Sequence, residues 1–315
     1  MSSYFGAVRH APKRCRTEIA RTLFPYLFTK LAPSTVESCE FQSFKSNEAD
    51  YRRLARILGR DQECLPVGEI DFLELVENRR AHQGTIGLRD YLFLSAFASI
   101  LAPERAVEVG TLAGFSAAII AAALHRRHPD PKSVLVESID KNTHSVVEND
   151  KQVGFQIPDI IPDFPNAIRV HAPAESEAIK EFAVRGELQL VFIDANHQHP
   201  QPLLDLLRAT PYVRSGDWIL LHDIKLGTLG RASIESVHDV RCGASFGAEW
   251  LFGYWPFRKI AGGNIGAVQI PVQKTAIIPA ALRLMALPLE MKISSHAIVQ
   301  RQLYQSFATL ARQLR

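Results

Sequence analysis

The sequence has few cysteines and no pattern among them. Cys15, Cys39, Cys64 and Cys242 are scattered over 315 residues without a C-x-x-C pair. That excludes a zinc knuckle and a disulfide framework and leaves ordinary reduced thiols. No run of about 18 apolar residues passes without a charge or a proline, so no membrane span is expected and the protein is expected to be soluble. Charge of one sign is not in excess: 36 Lys and Arg against 33 Asp and Glu leave a net charge of +3, too little for a nucleic-acid binder. Internal repeats and low-complexity segments are also missing. These absences set the expectation of a cytoplasmic protein with no nucleic-acid partner.

What is present is a core-forming composition, 47% hydrophobic over a length that suits one large α/β domain with additions. The positive charge that exists is local. Residues 1–33 carry Arg9, Lys13, Arg14, Arg16, Arg21 and Lys30 against the single acid Glu18. This segment lacks the apolar core and cleavage site of a secretory signal, so it reads as an amphipathic helix with a solvated basic face; an organellar presequence stays open.

The chain divides by pattern. Up to about residue 83 the texture is helical, with apolar positions three and four apart in "EADYRRLARILGR" and "EIDFLELVENRR", joined by links such as "LAPSTVES". From 84 to 272 strand and helix alternate: "LRDYLFLSAFASIL", "RAVEVG", "FSAAIIAAALHRR", "SVLVESID", "AIRVHA", "SEAIKEFAV", "LQLVFIDA", "PLLDLLRATPYV", a turn "RSGD", "WILLHDI", then a hairpin or strand pair near "WLFGYW" and "NIGAVQI". Short apolar strands separated by helices indicate a mostly parallel sheet buried on both faces, a doubly wound α/β domain with helical N- and C-terminal additions. Residues 273–315 form a helical tail that packs on the domain or on a second subunit, and a homo-oligomer is expected.

In such a sheet, ligands sit beyond the carboxyl ends of the strands where the winding reverses. "EVGTLAGFS" occupies that place. Gly110 permits a backbone path that a Cβ would block, Gly114 lets the helix start come close, and Ser116 caps or contacts the ligand. The spacing is G-x-x-x-G, whereas dinucleotide binders carry G-x-G-x-x-G; Leu112 stands where the middle glycine would be. Glu108 sharpens the mismatch, because a carboxylate at the strand end repels a pyrophosphate and suits a cationic amino group. Asp140 closes the second strand, placed to accept hydrogen bonds from ribose hydroxyls. A ligand with an amino-acid end, a ribose and an adenine meets all three conditions, and S-adenosylmethionine is such a ligand.

"AVEVGTLAGFS", "ESIDKN", "LVFIDANHQHPQPLLDL" and "RSGDWILLHDI", in that order, resemble the class I S-adenosylmethionine-dependent methyltransferases. More narrowly they are similar to the small-molecule O-methyltransferases grouped with catechol O-methyltransferase and to bacterial relatives of the methyltransferase domain family 24 type. The resemblance covers roughly residues 84 to 270 and implies a seven-stranded Rossmann-like sheet. The implied cofactor residues are Glu108, Gly110, Thr111, Gly114, Ser116, Asp140, Lys141, Ala174 and Asp194. Ala174 belongs to "HAPAES", where this class meets the adenine and where Ala172 and Glu175 are further candidates. Gly84 and Thr85 are candidates ahead of the first domain helix, with a plain helix cap as the alternative.

A second constellation follows the fourth and fifth strands of this alternation: Asp194, Asn196, His197 and His199, then His222 and Asp223. Two carboxylates from adjacent strand ends suit a hard divalent cation such as Mg²⁺. In the family resembled, the matching acids hold a metal and an asparagine follows the second; here Ile224 does, and it cannot ligate. His222-Asp223 is similar to the Glu-Asp of some sugar-modifying relatives, with a nitrogen ligand that opens the choice to Mn²⁺, Fe²⁺ or Zn²⁺. The metal set is therefore Asp194, His222 and Asp223; the alternative is that the acids organise the cofactor pocket without a metal and His222 is a buried, hydrogen-bonded histidine.

Methyl transfer from a sulfonium is an in-line displacement that needs alignment and a deprotonated acceptor. His197 is the expected catalytic base and His199 the alternative, since histidine's unperturbed pKa of about 6.5 suits the task. The aromatic stretch "EWLFGYWPF" is either an acceptor wall or a packed sheet edge. The expectation is an O-methyltransferase of a hydroxylated small molecule, a sugar or a natural product, assisted by a divalent metal. A metal-independent N- or carboxyl-methyltransferase, a non-catalytic cofactor-binding protein and a dinucleotide-dependent reductase are the alternatives.

Overall fold

The computed structural model describes residues 35–79, 86–129, 134–228, 245–290 and 295–313. The basic segment 1–33, Gly84, Thr85, Cys15 and Cys242 lie outside them. Cys39 and Cys64 are free thiols, and no helix among the described residues is long and apolar enough to cross a membrane.

One sheet organises these residues. Its strands are β1 (Val36–Ser38), β2 (Ala106–Val109), β3 (Val136–Ile139), β4 (Ile168–His171), β5 (Leu188–Ile193), β6 (Val213–Leu221), β7 (Lys259–Gly262) and β8 (Ile265–Gln269), in the spatial order β1-β7-β8-β6-β5-β2-β3-β4. The sheet is mostly parallel; β8 alone runs antiparallel to its neighbours β6 and β7. From β2 the chain winds outward through β3 and β4, then returns to place β5 and β6 on the other side of β2. The winding reverses between β2 and β5, where a ligand crevice opens in folds of this kind.

The sequence reading differs from this in three places. There are eight strands, not seven, because "VES" inside the link "LAPSTVES" pairs in parallel with β7; three residues are too few to show a period. The "RSGD" turn is a bulge within β6, with Leu188 opposite Val213 but Leu190 opposite Trp218, and Gly216 takes the left-handed backbone there with φ 90°. "WLFGYW" is helical, and the hairpin is β7–β8. Ala248, Leu251, Phe252 and Trp255 are buried at three- and four-residue spacing, a period that a short aromatic run hides.

The helices α1 (Asn47–Ile57), α2 (Glu69–Arg79), α3 (Leu88–Leu101), α4 (Phe115–His125), α5 (Ile157–Ile160), α6 (Ile179–Phe182), α7 (Gln201–Ala209), α8 (Gly247–Tyr254), α9 (Ile277–Leu284) and α10 (His296–Gln313) cover both faces. Strand alternation decides which residues each face receives. Ala106, Val136, Leu190, Phe192, Trp218 and Leu220 pack under α1 to α4, while Val107, Val109, Val191, Ile193, Ile219 and Leu221 pack under α7, α9 and α10. The N-terminal helices and the tail thus belong to the two cores of this one sheet. Leu303 and Leu310 anchor α10 to the second core.

Candidate active site

Strand register brings the site residues together before any side chain acts. Val109 pairs with Ile139 on one side and Ile193 on the other, and Ile193 pairs with Leu221. The next residue on each strand is Gly110, Asp140, Asp194 and His222, so these four stand in one row along the carboxyl edge.

Gly110 has φ 107°, and a Cβ there would lie 2.1 Å from the Asp194 carbonyl oxygen, so only glycine fits. Gly114 has φ 88°, and a Cβ there would meet Ile157 Cγ1 at 2.5 Å. Its close approach is to the segment entering α5. Leu112 stands where dinucleotide binders carry glycine, yet it adopts the left-handed backbone with φ 46°. Its N–H donates to Asp140 Oδ2 at 3.0 Å and its carbonyl accepts from Gly154 N at 2.8 Å. Asp140 also accepts from Asn142 N at 2.8 Å. A carboxylate has about four lone-pair sites, so two remain for ribose hydroxyls. Ala174 donates its N–H to the Asp140 carbonyl at 2.7 Å, which seats it beside that acid. Lys141 is exposed next to it.

Glu108 does not face a ligand. It shares the α4 side of the sheet with Ala106, directly beneath the start of α4, and is fully enclosed. Its two carboxylate oxygens accept from Ser116 Oγ and Ser138 Oγ. Thr111 Oγ1 lies 2.7 Å from Ser138 Oγ, so Glu108, Thr111 and Ser116 form a buried brace under the glycine turn. Burial pushes the Glu108 carboxyl up to about 8; the two serine bonds oppose this and the nearby Asp194 and Asp140 add to it.

Asp194, His197, His222 and Asp223 do converge. His222 Nδ1 lies 2.9 Å from Asp194 Oδ1 and 3.5 Å from Asp223 Oδ1, and its Nε2 is 3.7 Å from Asp90 Oδ2. His197 Nε2 is 3.2 Å from Asp223 Oδ2 and 4.0 Å from Asp194 Oδ1. Burial alone would lower the His222 pKa, but Asp194, helped by Asp90 and Asp223, outweighs it and holds the ring well above its ordinary value. Three acids thus surround the His222 ring. Asp223 takes a left-handed backbone with φ 62°, tolerated better by aspartate than by most residues, and this turns the chain away from the sheet edge.

Asp90 and Asn264 complete the cluster, and the sequence reading missed both. Asp90 reads as an ordinary first-turn acid of α3, and Asn264 as a hairpin residue in "GGN". In the structure Asn264 N donates to Asp90 Oδ1 at 2.7 Å and Asn264 Nδ2 to Asp223 Oδ1 at 2.5 Å, while Asn264 Oδ1 accepts from Lys225 N at 2.9 Å. The β7–β8 turn thereby fixes both acids. His199 is not brought to the site. It is buried against Trp250, with ring centroids 5.5 Å apart, and burial lowers its pKa to about 3.

The donor set does not fit a divalent metal. The oxygens of Asp194 and Asp223 lie against ring nitrogens of His222 and His197 and against the Asn264 amide nitrogen. Among the described residues no group of three or more His, Cys, Asp or Glu is arranged to hold a metal ion. The glycine turn and Asp140, by contrast, fit the expected nucleoside: a backbone path only glycine allows, beside an acid with free lone pairs.

Residues 107–224 match the family model described as a methyltransferase domain. No curated protein matches the chain. Among solved structures, the chain is similar to cofactor-bound Rv0187 from MTB, with 16% identity, 70% of this chain and 95% of that one covered, and a TM-score of 0.43. The O-methyltransferase from Bacillus cereus in complex with SAH matches at 16% identity, with 72% and 100% covered and a TM-score of 0.40. The O-methyltransferase TomG from Streptomyces achromogenes, involved in tomaymycin synthesis and in complex with SAM, matches at 13%, with 73% and 99% covered and a TM-score of 0.41. The family match spans the strand ends described above, so residues 107–224 of this chain are similar to methyltransferase domains.

Proposed function

We propose that the protein methylates a hydroxyl of a small molecule, with His197 as general base and no metal step. The observation that carries this reading is the His197 imidazole, 29% exposed and 3.2 Å from Asp223, at the edge where Asp140 and the glycine turn also open. The cofactor is held by the turn from Gly110 to Gly114 and by Asp140, and when bound it supplies the methyl group, its sulfur retaining the bonding pair. With its Nε2–H directed at Asp223, His197 takes the acceptor's hydroxyl proton on Nδ1 as the oxygen–carbon bond forms, and Asp223 stabilises the resulting imidazolium. Asp194 and Asp90 flank the His222 ring beside this pair, and Asp194 raises its pKa.

The acceptor class is tested with labelled S-adenosylmethionine and a panel of sugars, phenols, amines and carboxylic acids, each with and without EDTA. Label on a hydroxyl oxygen that EDTA does not diminish, lost by about 100-fold or more in His197→Ala, is the expected result. Label on nitrogen or carboxylate overturns the acceptor class, full turnover by His197→Ala overturns the base, and turnover lost to EDTA and restored by Mg²⁺ or Mn²⁺ overturns the metal-free step.

A further inference from the structure

The loop that carries His197 is held from outside the methyltransferase domain. Glu290, beyond α9, brings its carboxylate to that loop: Oε2 accepts from His199 N at 2.6 Å, while Oε1 and Oε2 accept from Phe246 N at 2.9 and 3.0 Å. Its own N–H donates to the His199 carbonyl at 3.0 Å. Burial pushes the Glu290 carboxyl up, and backbone N–H groups of His199, Phe246 and Gly247 pull against that shift. Gly247, the first residue of α8, donates to the His197 carbonyl at 2.9 Å. The helix comes so close that a Cβ on Gly247 would meet the His197 carbonyl oxygen at 2.6 Å and His199 N at 2.7 Å. The loop from His197 to His199 is therefore gripped between the start of α8 and one tail carboxylate that bonds to both.

We infer that Glu290 is a positioning residue for the reaction: by clasping the His197–His199 backbone to α8 it sets the His197 imidazole against Asp223. The inference rests on His197 acting as the base. A side chain bonded only to its own element would stabilise the tail; this one joins three segments, of which one carries the proton acceptor. Misplacement of a reacting group by about 1 Å costs on the order of 100-fold in rate.

The test uses the full chain, the panel's best acceptor, and the variants Glu290→Gln, Glu290→Ala and Gly247→Ala. For Glu290→Ala, turnover should fall at least about tenfold while affinity for S-adenosylhomocysteine, measured by calorimetry, stays within about twofold. Amide exchange in the peptide spanning residues 195–200 should accelerate about tenfold, and in a His197→Ala background the Glu290 change should cost less than about twofold. Glu290→Gln, which keeps the volume and one acceptor oxygen, should fall between parent and Ala. Unchanged exchange overturns the clasp. Faster exchange with parental turnover overturns the positioning role, as does an equal loss with and without His197. Full turnover by His197→Ala on its own identifies failure of the base reading rather than of the clasp.

Discussion

Glu108→Gln isolates the energetic consequence of enclosing a carboxyl group under the glycine turn. Glu108 titrates at about 8 in the folded protein against an ordinary 4.5. Between those values the unfolded chain has released the proton and the folded chain still holds it. The folded state binds more protons there, so the Glu108 contribution to stability is lost progressively as pH rises from 4.5 to 8. At about 1.4 kcal/mol per pKa unit, the whole shift corresponds to roughly 5 kcal/mol. Relaxation around the ionised group and water entry lower this, and roughly 2 to 3 kcal/mol between pH 5 and 8.5 is the working expectation. Glutamine has the shape of the protonated acid, keeps one oxygen to accept from one serine, offers an N–H to the other once that hydroxyl turns, and does not titrate. Urea unfolding of the cofactor-free protein at five pH values, parent against Glu108→Gln, gives the difference directly. Asp205, pushed up to about 6 by burial, titrates in both proteins and cancels. The variant should gain on the parent steadily above pH 5. Two curves that stay parallel within about 0.5 kcal/mol would refute the claim that Glu108 is protonated at neutral pH.

Three other changes test the rest of the site. Gly110→Ala places a Cβ 2.1 Å from a carbonyl oxygen, so the variant should lose at least about 3 kcal/mol of stability in the same urea assay and fail to bind S-adenosylhomocysteine. Asp140→Asn puts an amide against the Leu112 and Asn142 N–H groups or the ribose, and calorimetry should show cofactor affinity weakened by about 10- to 100-fold with little change in melting temperature. Asn264→Ala releases Asp90 and Asp223 together; turnover should drop about tenfold or more while cofactor affinity holds, and a parental rate would show that the hairpin turn does not tune the cluster.

The legible parts of the fold were those with long, regular signals. Alternating apolar strands and helices from residue 84 onward gave the parallel sheet and its winding, because burial on both faces imposes continuous apolar runs. β1 escaped notice because three residues carry no period, and α8 because its aromatics suit strand and helix alike. At the site, Gly110, Asp140 and Asp194 were readable, since each is the first residue after a strand. Glu108 misled for a related reason: its position in the strand was clear, but the face it points to depends on whether alternation starts at Ala106 or Val107, and only the packed sheet decides that. Asp90, Asn264 and Glu290 come from a helix start, a hairpin turn and the tail, and they reach the cluster only through tertiary contact. His222 stands in the row as the first residue after β6, and its partner Asp90 comes from a helix start that sequence spacing does not relate to it.

Pairing of β1 with β7 also constrains the order of assembly. Glu37 and Arg258 form a 2.8 Å ion pair across 221 residues, and Val36 to Ser38 lie beside Lys259 to Ala261. β7 in turn needs β8, which needs β6. During synthesis the strands β2 to β5 can therefore meet before β7 exists, while Val36–Ser38 have no strand partner until β7 has emerged. Contacts of such sequence separation form slowly. The earliest strand of the described chain thus finds its strand partner in the same hairpin whose Asn264 turn fixes the acidic cluster.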